Sequence, residues 1–283
     1  MRPSARRPPA AIRFAAAALA VLAACIGCAS TPDTAGVPAN LTAQLRQSRL
    51  DQSTGNIRIQ LTNEGTARVH VRDLVLHVDP FPNTRSENDA ALRPHQLVDF
   101  RLPTVEPTCA AGTPTPGRAT AELTVDGRPV EVDVIDDQNV LGRMLTGTCL
   151  REQLAEVVTV GLGPEWVLDS TGTAMRGTID LTRVGDGPAV TLRQVNGSAT
   201  VGFQPIRRVP PLATLDPGQS AVSVPVQAAP TRCEPHARSE DKKRFVFPAW
   251  LRMQGVKSDV YVELKADLAL QARLDQLCDA RSG

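Results

Sequence analysis

The chain has 283 residues and a mass of 30.2 kDa, room for two domains of ordinary size. Its 31 basic and 30 acidic residues nearly cancel, but Arg2, Arg6, Arg7 and Arg13 crowd the start; without residues 1–24 the balance is 27 to 30, about −3. Aromatics make up 3% of the chain and there is no basic surplus, so a nucleic-acid partner is excluded, and no apolar run reaches the roughly 18 residues of a spanning helix.

Residues 1–13 carry no acid, and Phe14 to Ala24 is an unbroken apolar run of 11 residues, the form of a secretory signal peptide. It ends in Leu22-Ala23-Ala24-Cys25, which resembles the lipobox of bacterial lipoproteins. The resemblance implies that the Cys25 thiol takes a diacylglyceryl group and that the signal is cut before it. Two or more acyl chains would then hold the protein stably on the outer face of the cytoplasmic membrane. Cys28 fits the same pattern less well, and Pro8-Pro9 after Arg6-Arg7 argues for general rather than twin-arginine export. Residues 25–40, rich in Ser, Thr, Pro, Gly and Ala, read as a flexible tether. Arg outnumbers Lys 27 to 4, as in GC-rich genomes, so the whole resembles a lipoprotein of a high-GC Gram-positive (actinobacterial) type.

The rest of the chain repeats itself at a spacing of about 122–129 residues. Gly55-Asn56-Ile57-Arg58-Ile59 lines up with Gly177-Thr178-Ile179-Asp180-Leu181. Leu92-Arg93-Pro94-His95-Gln96 returns as Leu215-Asp216-Pro217-Gly218-Gln219, and each copy leads into an extended stretch, Leu97–Leu102 and Ala221–Val226. A proline and a cysteine follow (Pro107 and Cys109, Pro230 and Cys233), then a two-strand pattern and a short helix. Leu141, Leu145 and Cys149 stand at i, i+4 and i+8, as do Leu270, Leu274 and Cys278, so each cysteine falls on the apolar face of its helix.

Alternation marks the strands. Ile57, Ile59 and Leu61 interleave with polar residues, Val69 and Val71 do likewise, and Leu74, Leu76 and Val78 continue the series. Asp126-Gly127 between two alternating runs is a hairpin signal. In the second copy Val246–Met253, a Gly255 turn and Val260, Val262 and Leu264 repeat the scheme. Short strands at even spacing predict an all-β chain of two tandem immunoglobulin-like β-sandwich domains, residues 41–157 and 158–283, each ending in a short helix.

In an exported protein the four cysteines beyond the leader imply disulfides, with three possible connectivities. The repeat selects Cys109 with Cys149 and Cys233 with Cys278, one equivalent bridge per copy. Each closes a loop of 40 or more residues, which stabilises its domain by about 4 kcal/mol in the loop-entropy treatment.

No Gly-x-Ser-x-Gly elbow, phosphate loop, dinucleotide fingerprint or zincin helix is present. His70 and His77 are an odd number apart and are expected on opposite faces of a strand. Asp136-Asp137 reads as a solvated turn, and Trp166 and Trp250 as core anchors. The densest polar stretch gives a candidate binding loop: Glu234, His236, Arg238, Glu240, Asp241, Lys242 and Lys243. Within it Pro230–Ala237 resembles a segment of actinobacterial exported proteins of uncharacterised activity, and the resemblance implies none. Cys233-x-x-His236 also has a metal-ligand spacing, an alternative reading in which this loop captures a metal or solute. The expectation is therefore a lipid-anchored, extracytoplasmic binding or scaffolding protein without catalysis or cofactor. Its partner would be an envelope protein or ligand.

Overall fold

The computed structural model describes residues 40–110, 115–206 and 211–282. The leader, Cys25, Cys28 and the tether as far as residue 39 lie outside the described residues. The fold is mostly β, in sandwich and barrel-like arrangements around two hydrophobic cores.

The first core is wrapped by β1 (Leu41–Arg46), α1 (Arg49–Ser53), β2 (Asn56–Asn63), β3 (Val69–Val78), β4 (Phe81–Ser86), β5 (Ala90–Leu92), β6 (Leu97–Pro103), β7 (Thr120–Val125) and β8 (Arg128–Ile135), with α2 (Val140–Val157) following. The strands form one curled sheet in the order β4-β3-β7-β8-β1-β2-β6, with β5 on β3. β1 closes one side by pairing in parallel with β8, Ala43 opposite Val134. On the other side β4 comes back beside β6, where Thr84 Oγ1 donates to the Pro103 carbonyl at 2.9 Å. Strand alternation does the burying: Ile57, Ile59 and Leu61 point inward while Arg58 and Gln60 do not. Asp126 and Gly127 take φ of +48° and +82°, the hairpin geometry expected of that dipeptide.

The second core is enclosed by β9 (Val158–Leu162), β10 (Val167–Leu168), β11 (Met175–Arg183), β12 (Val190–Val195), β13 (Val201–Pro205), β14 (Ala213–Leu215), β15 (Ala221–Pro230), α3 (Pro235–Glu240), β16 (Val246–Met253), β17 (Val260–Lys265) and α4 (Leu268–Ser282). Here two sheets share the core, β10-β11-β15-β13 with β9 on β11, and β14-β12-β16-β17. Among the described residues no strand pairs with β17 on the side away from β16. The C-terminal half of α2 packs near β17 and β9 and contributes Leu154 and Val157 to this core.

That helix differs from the one the spacing implied. It does not stop at Cys149 but runs eight residues further, to Val157. Its apolar stripe moves from Leu141, Leu145 and Cys149, in the first core, to Leu150, Leu154 and Val157, against the second. A step of one residue on a helix turns the buried face by about 100°, so one rod serves two cores. Asp136 starts it: its carboxylate accepts from the Val140 and Leu141 N–H groups at 2.7 and 2.9 Å. That corrects the solvated-turn reading, because the first N–H groups of a helix lack intrahelical partners and a nearby acid satisfies them.

Both disulfides pair as the repeat selected, Cys109–Cys149 and Cys233–Cys278, with Cα atoms 5.4 and 5.2 Å apart. The Leu-x-Pro segments also coincide in form. Gln96 N–H donates to Arg93 O and Gln219 N–H to Asp216 O, and His95 and Gly218 take φ of +59° and +83°. These are type II turns with proline first and a positive φ second. The Gln96 and Gln219 side chains accept from the N–H of Arg93 and Asp216, closing both turns alike.

The upstream repeat is shifted in register. Ile59 faces Phe100 in β6, and Ile179 faces Val224, the residue at the matching place in β15. Ile179 therefore corresponds to Ile59, two residues on from Ile57. Gly177 takes the place of Ile57, and the Trp166 ring occupies the room: a Cβ on Gly177 would sit 2.6 Å from it. Trp166 thus packs against the second core, as expected, with its indole N–H on the Gly163 carbonyl at 3.0 Å.

Candidate binding cleft

A β-bulge shapes the matching strand of each half. In β3 the register slips between Arg72 and Val75, and Arg72 and Asp73 are both exposed before burial resumes at Leu74. His70 and His77 consequently share the outer face, contrary to the parity argument, since one extra residue reverses parity. They do not pair with each other: His70 meets Asp89, and His77 lies 3.5 Å from Glu122. In β12 the slip falls between Leu192 and Gln194, and Arg193 and Gln194 are likewise both exposed.

Beyond the bulge the halves part. β3 continues to Val78 and turns into β4, which pairs with β3 itself. β12 stops at Val195, and after Asn196-Gly197-Ser198 the chain enters β13, which pairs with β15 in the opposite sheet. The switch leaves an open cleft of about 530 Å³ between the end of β12 and β13. Between the β3–β4 hairpin and α2 an apolar nook of about 10 Å³ remains; the first half's open cleft, about 450 Å³, lies instead over β2 and β6 and is lined by Arg58, Asp99 and Arg101.

The cleft is lined by uncharged hydrogen-bonding groups from Gln194, Asn196, Ser198, Gln204 and Thr231, by the guanidinium-bearing Arg193, and by Phe203 as its apolar wall. Phe203 is 3% exposed and stacks on Phe247 at 4.3 Å, so this wall is fixed by the core. The turn is fixed too. Gly197 lies so close to β13 that a Cβ would sit 2.3 Å from the Val201 carbonyl oxygen. Ser198 Oγ accepts from the Val201 N–H at 3.0 Å. Thr200, 1% exposed, donates both its N–H and its hydroxyl to Asp241, at 3.0 and 2.8 Å.

The cleft continues onto a sheet face. Register sets Gln194 beside Trp250 and Trp250 beside Tyr261, a row running from the cleft across β16 to β17. Phe247, Ala249 and Leu251 face the core, so Trp250 stands on the opposite side, packed edge-on against Tyr261 at 5.8 Å. It is no core anchor, which corrects the sequence reading. Arg252 pairs with Asp259 at 2.7 Å on one flank of the row. On the other flank Lys243 donates to Glu263 at 2.7 Å and the Tyr261 hydroxyl to the same oxygen at 3.2 Å. The hydrogen bond from Lys243 holds the Glu263 carboxyl below its usual range and raises the ammonium. Partial burial, then Glu263, push the Tyr261 hydroxyl up. The Lys243–Glu263 flank is thus an ion pair at neutral pH.

The predicted binding loop is largely committed to the fold. Arg238 spans Asp275 and Asp279 of α4 at 2.8 and 3.0 Å. Asp241 holds Thr200, Lys243 pairs with Glu263, and Lys242 donates to the Ser239 carbonyl at 2.8 Å. His236, 82% exposed, pairs with Glu240 one helical turn on, and Glu234 is exposed just before α3. The sulfur of Cys233 is bonded to Cys278, so the thiolate that the metal reading requires does not exist. Among the described residues no group of three or more His, Cys, Asp or Glu side chains is placed to hold a metal. Of the cleft residues the sequence reading singled out none. The signal was Asn196-Gly197-Ser198 directly after Val195, turn residues where the first copy has strand.

No family model matches the chain and no curated protein matches it in sequence. Among solved structures it is similar to CBD12 from CALX1.2, at 8% identity and a TM-score of 0.21 over 77% of this chain and 83% of that one. It is similar to red sea bream transglutaminase at 9% and 0.22, over 81% of this chain and 31% of that one. The YadV chaperone follows at 9% and 0.19, over 76% and 94%.

Proposed function

We propose that the protein is a lipid-anchored, extracytoplasmic binding protein without catalytic activity. In this reading residues 1–24 are a signal peptide, Cys25 carries the lipid and residues 25–40 are a tether. Residues 41–157 and 158–283 are two immunoglobulin-like sandwiches, the second of which presents the binding surface. The observation that carries the binding role is the strand switch at β13, which opens a cleft with a rigid wall and a lining of amides and hydroxyls. Such a lining orients a ligand through hydrogen bonds, and its volume is that of ordinary ligand sites. Two disulfides support an oxidising, extracytoplasmic setting. The lipobox resemblance and Cys25 support the anchor.

Intact mass of the protein recovered from membranes tests the anchoring. The expected result is a diacylglyceryl-sized gain on the chain beginning at Cys25, lost in Cys25→Ala, with four thiols appearing only on reduction. An unlipidated chain, found only in the soluble fraction, contradicts it.

A further inference from the structure

Charge, shape and ring chemistry along the row narrow the ligand class; a ligand assigned from them deepens the proposed binding role and rests on it. The flanking pairs Arg252–Asp259 and Lys243–Glu263 are each internally neutral, so the face between them offers no net charge, and in the cleft itself Arg193 is the one charged side chain among eleven uncharged lining residues of the described chain. Within it stand the chain's single tyrosine and one of its two tryptophans, both on a solvent-facing sheet surface, not in a core. An aromatic ring presents an electron-rich face that attracts weakly positive C–H edges. Beside it, the Gln194 amide donates to Asn196 Oδ1 at 3.0 Å, which leaves the Gln194 carbonyl and the Asn196 amino group to accept from and donate to a ligand. C–H-lined faces alternating with hydroxyls that donate and accept are the surface of a sugar ring. The cleft is open, not enclosed, so a ligand larger than its volume can extend beyond it.

We infer that the β12–β13 cleft and the Gln194–Trp250–Tyr261 row bind a segment of a neutral polysaccharide, with one sugar ring against Trp250 and its neighbour hydrogen-bonded in the cleft. The Trp250 and Tyr261 rings, packed edge-on on β16 and β17, lose little side-chain freedom on binding, so modest contact area suffices. Arg193 is the one charged side chain lining the cleft among the described residues, so salt weakens binding only slightly, since screening acts on charge–charge attraction alone.

The test uses the exported, disulfide-bonded protein in affinity electrophoresis through gels containing a neutral glucan, mannan or galactan, with heparin and hyaluronan as charged counterparts. The same protein is also passed over an immobilised random peptide library. Retardation by at least one neutral polysaccharide is expected, falling no more than about twofold between roughly 50 and 500 mM salt. Trp250→Ala should weaken it roughly tenfold and Tyr261→Ala or Gln194→Ala severalfold, whereas Trp250→Phe keeps a ring face and most of the affinity. Far-UV circular dichroism and a thiol count establish that each variant is folded and bridged. Retardation by none of the neutral polysaccharides overturns the proposal, as does retardation that Trp250→Ala leaves unchanged. Heparin binding that collapses with salt overturns it as well. Peptide retention lost in Trp250→Ala, without glycan binding, overturns the glycan and leaves the cleft a binding site. If no variant alters any retention, the binding role itself falls.

Discussion

The two halves are built from one pattern and end in different states, and the contrast lies at their edges. In the first, β1 pairs with β8, β4 stays with β3, and the sheet closes around a core with a nook of only about 10 Å³. In the second, β17 has no partner beyond β16 among the described strands and the end of α2 packs there instead, while β13 crosses to the other sheet and leaves the cleft. The cores share their disulfide, their Leu-x-Pro turn and their terminal helix, while the edges differ. Where the strands pair thus decides whether a cleft opens at the edge of a half.

The largest expected effect comes from breaking α2's double duty. Leu154 is 3% exposed in the second core and Leu145 is fully buried in the first. Leu154→Ala should cost the second half about 2–5 kcal/mol. Both tryptophans lie in that half, so urea unfolding followed by tryptophan fluorescence shifts to lower denaturant. Leu145→Ala should shift the far-UV signal first. A Leu154→Ala variant whose fluorescence transition does not move would reduce the helix end to a linker.

Asp241 sharpens the contrast at the cleft. Its removal in Asp241→Ala leaves the buried Thr200 hydroxyl unpaired and its N–H with only the Ser198 hydroxyl at 3.3 Å, a loss of about 1–3 kcal/mol. The cleft turn should also become mobile, read as faster amide exchange at Val201. Unchanged exchange there contradicts the role given to Asp241.

Acid should act on the first half. Asp51, 2% exposed, is penalised by burial, but the Ser48 hydroxyl and backbone N–H and then Arg58 outweigh this and hold its carboxyl below the usual range. A folded pKa below the unfolded one stabilises above the unfolded value, near 3.9, and that contribution disappears as pH falls through the folded value. The far-UV transition should therefore lose stability below about pH 4, and Asp51→Asn should lose less over that range while starting lower at pH 7. Identical pH slopes in the two proteins would show that Asp51 is not the group titrating.

The smallest effect compares the two type II turns. His95 holds a positive φ that glycine adopts without strain, and Gly218 already does. His95→Gly should raise thermal stability slightly, by up to about 1 kcal/mol, and Gly218→Ala should lower it by about as much. Equal and opposite changes in melting temperature are the check.

Much of this was legible in the sequence because it rests on short-range chemistry. Alternation placed the strands, Asp126-Gly127 the hairpin, and two matched Leu-Leu-Cys spacings the disulfide pairing. What failed did so where one residue changes phase. The bulge at Arg72–Asp73 put His70 and His77 on one face, and a two-residue slip made Ile59, not Ile57, the counterpart of Ile179. The site was missed for a related reason. Polarity drew attention to Arg238, Asp241 and Lys243, whose charges are spent on intramolecular partners. Trp250 passed for a core residue because aromatic character alone does not tell which face of a strand it occupies.

Binding by the second half through the face at the β12–β13 switch is read from the two tryptophan indole N–H resonances. In an ¹⁵N-labelled sample titrated with the neutral polysaccharide that retards it, the Trp250 signal should shift progressively. The Trp166 signal, whose N–H is held by the Gly163 carbonyl, should stay in place. A Trp250 resonance unmoved at saturation, or a shift confined to Trp166, would contradict the account.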